Sequence, residues 1–183
     1  MKEDAIRSII IGNIEAIDQG VSLLRSLNDA QYTFTDSPYI QSSIGQHFRH
    51  IIDMFLAVCR PAMADTVNYD KRRRGDVIER SRAVAIEELQ LVKDNLSEYL
   101  RDLKSAGRQL ETPITLVTEV TIEDTHSASL PSTKIRELVF TSSHAVHHYA
   151  LISIIAKIQG VKLDKRVGVA PATATFLRSE ALI

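Results

Sequence analysis

Five of the six histidines of this 183-residue chain fall in two short clusters, His47 with His50, then His144, His147 and His148. The sixth, His126, stands apart in a stretch without helical periodicity. His144 and His148 are four residues apart. On a helix advancing about 100° per residue their side chains differ by about 40° and leave from one face. Phe140, Leu151 and Ile155 share that face, so the spacing predicts two imidazoles on an apolar stripe. Burying imidazole nitrogens without partners is costly. A backbone carbonyl satisfies one ring; a divalent metal satisfies both, and a third donor from a facing helix completes a facial set with open positions. His47 and His50 are the available third donors. Wheel arithmetic puts His47 about 60° from the apolar centre of its helix and His50 about 120° from it. That favours His47, although His50 can reach a metal lying between two helices. The HxxxH pair lacks the acid of an HExxH protease.

Four long helices are expected to carry these residues. Ile6, Ile10, Ile14, Ile17, Val21 and Leu24 recur at three- and four-residue steps and predict a helix over 4–27, ended by Asn28-Asp29. Residues 33–39, with Pro38, read as a loop. A second helix opens near Ser42-Ser43, where a serine can cap free amides. Ile44, Phe48, Ile51, Phe55 and Val58 form its stripe, and Pro61 is its kink or stop. A polar connection over 65–75 contains Lys71-Arg72-Arg73-Arg74. A third helix is expected over 76–104, with Asp76 and Glu79 at its positive end. Ile78, Ala85, Leu89, Val92, Leu96, Tyr99 and Leu103 supply its buried face, and Gly107 its stop.

Residues 114–123 alternate between apolar and other side chains, which predicts a strand. One strand cannot stand alone, so a hairpin partner is expected within 124–130. The last long helix follows Leu130-Pro131-Ser132 and runs to Gln159, with Gly160 as its stop. It is apolar nearly all round, as for a central helix or a dimer contact. The tail, 161–183, reads as a loop and a short helix over 172–178. The expected fold is therefore all-α. It is a four-helix bundle, up-down with a long crossover, with a small β-strand or hairpin insertion before the last bundle helix, in one domain over 1–183.

The segment Ser43-Ile44-Gly45-Gln46-His47-Phe48-Arg49-His50-Ile51-Ile52-Asp53 resembles the second-helix signature of the DinB-like (YfiT-like) superfamily. These are four-helix bundles, many with a metal site of three histidines. In that signature the histidine that precedes an apolar residue falls on His50. The family's HxxxH on the last helix is matched by His144 and His148. Tyr69-Asp70 to Asp76 and Gly168-Val169-Ala170-Pro171 are similar to further pieces. The resemblance covers most of the chain and rests on the order and spacing of short motifs. It implies His50, His144 and His148 as metal ligands, in place of the His47 that wheel arithmetic favours. It implies a divalent metal, zinc or nickel foremost.

The resembled superfamily includes thiol-dependent S-transferases and a thiol-dependent isomerase. The implied function is a divalent-metal-dependent enzyme that activates a small-molecule thiol for S-transfer, or a hydrolase-like relative. No catalytic residue or distinct general base is legible. The alternative is a non-catalytic, metal- or ligand-binding dimeric helical module with a stress-related role. An open cleft at the metal favours catalysis, and a closed site favours structure.

Composition narrows the remaining classes. Lys plus Arg is 22 and Asp plus Glu is 23, for a net charge of -1, unlike a general nucleic-acid binder. The basic run reads as a solvated loop before it reads as a phosphate site. One cysteine excludes an intrachain disulfide framework and a thiolate-only zinc site. Cys59 is expected to be a half-buried structural thiol. Asp53 reads equally as a group that orients a metal ligand and as a surface carboxylate. Tyr149 points about 100° from His148 and is left out of the site. No run of about 18 apolar residues predicts a membrane span, and the first residues lack a signal-peptide pattern, so a cytoplasmic protein is expected. Val139, Val146 and Ala150, opposite the histidines on the last helix, predict a homodimer.

Overall fold

The N-terminal apolar stripe folds as α1 (Lys2–Arg25) in the computed structural model, which describes residues 2–59 and 65–180. Ile6, Ile10, Ile17, Val21 and Leu24 are buried along it. Asn28 does more than end this helix. Its side chain accepts from the Gln31 N–H while the Gln31 side chain accepts from the Asn28 N–H. That capping box starts the short α2 (Asp29–Thr33). The same reciprocal pair, between Ser43 and Gln46, starts α3 (Ile44–Cys59). The whole stripe expected on α3 is buried. Pro61 lies outside the described residues.

The expected third helix is interrupted. It divides into a 3-10 turn (Val77–Glu79), α4 (Arg82–Tyr99) and α5 (Leu103–Leu110). Three short polar side chains account for the breaks. Asp76 accepts from the Ile78 N–H, Ser81 from Val84 and Asp102 from Ser105. Each offers the backbone a local alternative to a continuous helix and begins a new one. Gly107, expected as the stop, is buried inside α5 against Ile6.

The chain is mostly helical, and the expected strand insertion is larger than a hairpin: it is a three-stranded sheet of order β1-β2-β3. β2 (Pro113–Glu119) pairs antiparallel with β3 (Ser127–Thr133), which is the expected hairpin. β1 (Thr66–Asn68) comes from the polar connection and pairs parallel with β2, Val67 opposite Leu116. Three residues are too few to display a period of two, so this strand is invisible in the sequence. β2 also ends earlier than the alternation does, leaving Val120 and Ile122 exposed. At the end of β3 the Thr133 hydroxyl accepts from the Arg136 N–H and starts α6 (Lys134–Ile158) without a loop.

Four long helices close a ring: α1 packs on α4 and α6, and α3 packs on the same two. Ile17, Leu24, Phe48, Ile52, Leu89 and Ile152 fill the space between them. α6 is long and apolar enough to cross a membrane; here its Leu138, Ala145, Tyr149, Ile152 and Ala156 are buried in the bundle core. The C-terminal segment carries α7 (Pro171–Ser179) and passes over α6 at Ala150. Gly168, at φ +75°, lies against the Ala150 backbone, and its N–H donates to Gln19 Oε1 at 3.0 Å. A side chain at 168 would meet both the strained dihedral and that backbone.

A second close approach fixes where α3 begins. A Cβ on Gly45 would overlap the backbone carbonyl of Glu79 and touch the Tyr32 ring. Backbone yields less easily than a flexible side chain. Gly45→Ala is therefore expected to lower stability by about 1–3 kcal/mol. A reduced urea midpoint with an unchanged m-value is the measurement that checks it.

Candidate metal centre

α3 and α6 lie side by side, which sets His47 and His50 against His144 and His148. His50 Nε2 is 2.9 Å from His144 Nε2, and His144 Nε2 is 3.0 Å from His148 Nε2. Ligand nitrogens of these three rings all lie within 4.8 Å of one another. His47 meets the other side of His148, Nδ1 to Nδ1 at 2.9 Å. The converging group thus contains His50, with His47 behind it.

The rings sit at the edge of the bundle, not at the centre of a core-facing stripe. The buried row of α6 is Leu138, Thr141, Ala145, Tyr149 and Ile152, while His144 and His148 are half-buried one step round. Because α6 is apolar nearly all round, its periodicity cannot tell the core side from the rim. Phe140 is 37% and Leu151 38% exposed. Tyr149 enters the core, its ring 5.9 Å from that of Phe48. Phe140 packs on His144, with centroids 5.6 Å apart. His147 faces solvent and His126 lies in the β2–β3 connection.

All four imidazoles are held neutral. Burial, then the charge of Arg72, pushes His50 down to about 3. Burial, then His144 and His47, pushes His148 down to about 3. Burial also lowers His47 and His144. Neutral imidazole is the form that ligates metals. His144 Nε2 faces two other ring nitrogens, yet a neutral ring nitrogen carries only one lone pair or one proton in its plane. One cation shared by three lone pairs resolves that conflict. Separations of 2.9 and 3.0 Å let the nitrogens share one ion at zinc–imidazole distances of ~2.0–2.1 Å. The residues fit a divalent metal. If His148 donates its Nδ1–H to His47, its Nε2 lone pair is left facing His144, which is how outer partners commonly set a ligand's tautomer.

A cleft of about 500 Å³ adjoins the group, lined by His47, His50, His148, Arg49, Arg72 and Arg74 among others. The two arginines of the basic run are the part of this site that sequence reasoning assigned to solvent. Asp53 orients none of the histidines. It accepts from the Arg73 N–H at 2.9 Å and from Arg73 Nε at 2.6 Å. Burial pushes the Cys59 thiol up to about 12, so it is not a thiolate near neutral pH.

The sequence profile of the DinB superfamily matches residues 15–152, a span that holds all four of these histidines. A stretch of 114 residues, 62% of the chain, is 31% identical to part of FK506-binding protein 5 of the fungus Rhizopus delemar. The chain spans only 28% of that protein. No solved structure matches the chain.

The depressed histidines make a pH prediction for the metal-free protein. Their folded pKa values lie below the unfolded value of 6.5, so the unfolded chain takes up protons first as pH falls. The stability linked to neutral His50 and His148 is complete above about pH 6.5 and is lost progressively toward pH 3. Urea midpoints measured from pH 7.5 down to about 4.5 should fall. The decline should be shallower in His50→Gln/His148→Gln, and equal slopes would refute this assignment.

Proposed function

The chain belongs to the DinB superfamily, and from that premise we propose that it is a metal-dependent enzyme that activates a small-molecule thiol for S-transfer. His50, His144 and His148 hold the ion, zinc or nickel foremost, through neutral imidazole nitrogens. The observation that carries the reading is the convergence of these three rings beside an open cleft. A structural metal site is closed by protein on every side, whereas a catalytic one keeps positions for substrate. The cleft therefore favours the enzyme over a non-catalytic metal-binding module.

A bound divalent ion lowers the pKa of a coordinated thiol and supplies a thiolate nucleophile near neutral pH. The chain's own residues do the rest. His47 backs His148 and holds its ring in place. Phe140, with the Tyr69 ring 5.7 Å away, packs beside His144 and covers it with apolar surface.

Protein purified without a metal-affinity tag should contain close to one divalent ion per chain by elemental analysis. His148→Ala should lose the metal and any thiol-transfer activity while keeping its helical circular dichroism, because buried aliphatic stripes hold the helices. Adding a small thiol to the cobalt- or nickel-loaded wild type should shift its visible spectrum as sulfur enters an open position. An unchanged spectrum with every common cellular thiol would leave the non-catalytic module as the better reading.

We propose further that the protein works as a homodimer. Of the residues expected at the contact, Val139 is exposed, whereas Val146 and Ala150 are half-buried, Ala150 against Gly168. Leu151, Ile154 and Ile158 form a further exposed apolar row on α6. Such rows commonly mark association surfaces, and two-fold dimers are the commonest closed assembly. Sedimentation across micromolar concentrations should give twice the chain mass; a monomer throughout would remove this proposal.

A further inference from the structure

The basic run resolves into two kinds of arginine. Arg73 turns inward. Its N–H and Nε donate to Asp53, and its two terminal nitrogens donate to the two Glu88 oxygens at 2.8 and 2.7 Å. That double clamp fixes the loop's backbone at its centre. The neighbours on either side, Arg72 and Arg74, both line the cleft beside His50 and His148. Arg72 is tethered further by its Nε, which donates to the Tyr69 carbonyl at 3.2 Å. Among the described residues no carboxylate pairs with either. The acid in the cleft, Glu79, is taken by Arg49 Nε at 2.9 Å. Two uncompensated guanidinium groups therefore stand on a pinned loop at the mouth of the histidine site.

We propose that Arg72 and Arg74 bind an anionic oxygen group, a carboxylate or a phosphate, on the substrate whose other end reaches the three histidines. Three features support this. The planar fork of arginine matches both groups with two parallel hydrogen bonds, which a solvated lysine does not. The two side chains belong to the same cleft as the histidines, so one small molecule can touch both. The loop is held in place before any ligand arrives, so little ordering cost falls on binding. The proposal rests on the metal reading above, and the experiment separates the two.

Cobalt(II)-loaded protein is titrated with 2-mercaptoethanol, 3-mercaptopropionate and 2-mercaptoethyl phosphate, and half-saturation is read from the visible spectrum. The same series is run on R72Q/R74Q. Comparing wild type with variant for each thiol cancels the differing acidities of the thiols. The variant is expected to keep its cobalt, to bind 2-mercaptoethanol as before, and to lose about tenfold for an anionic thiol, as fits the loss of charge-assisted hydrogen bonds. The anion with the larger loss identifies carboxylate or phosphate. R72K/R74K, which keeps charge but not the fork, should recover only part of the loss. Raising salt should weaken the anionic thiols in the wild type more than in R72Q/R74Q. An equal loss for charged and neutral thiols, or none, overturns the proposal and leaves the metal reading intact. Loss of cobalt in R72Q/R74Q overturns it too, by making the arginines structural supports. Failure of the wild type to bind cobalt or any of the thiols overturns the metal reading, and this proposal with it.

Discussion

The site depends on one apolar contact, Phe48 of α3 against Tyr149 of α6, with ring centroids 5.9 Å apart. Both side chains are fully buried. His47 precedes Phe48 and His148 precedes Tyr149, and those two imidazoles meet at 2.9 Å. A step of one residue turns a helix by about 100°, so a pair packed into the core places its sequence neighbours at the rim. Slipping or rotating either helix would separate the aromatic rings and the histidines together. The close-packed interior therefore supplies the positional accuracy that a set of converging donors needs.

Placing the histidines at the rim also settles their chemistry. Half-burial holds each imidazole in its neutral, ligating form. It also leaves one side of the group beside a cleft. A pair at the core's centre would be equally neutral but closed to any substrate. The geometry thus serves ligation and access at once, which a fully buried site does not.

Charge around the cleft follows from a second, independent constraint. Asp53 is only 8% exposed, and a buried carboxylate needs partners. Arg73 supplies them and brings the loop onto α3. Glu88 ties the same guanidinium to α4. The loop between β1 and the 3-10 turn is thereby attached to two bundle helices. What reads in the sequence as a uniform basic run becomes one structural arginine flanked by two that line the cleft.

Much of this is local and so is legible in the sequence. The stripes of α1 and α3, the Ser43 start, the hairpin and the Gly160 stop come from periodicity and capping within a few residues. The HxxxH pair needs only the helix to share a face, and the order of short motifs pointed to His50 and the superfamily. The breaks in the third helix were hidden because Asp76, Ser81 and Asp102 compete with a continuing apolar rhythm. β1 was hidden because its pairing to β2 is made across nearly fifty residues of chain. Which side of α6 faces the core, where Asp53 points and what Arg72 and Arg74 line were decided only by tertiary structure. Those outcomes rest on contacts between distant segments: Phe48 with Tyr149, Arg73 with Asp53 and Glu88. A helix's own sequence states which residues share a face, but burial of that face depends on what the rest of the chain packs against it.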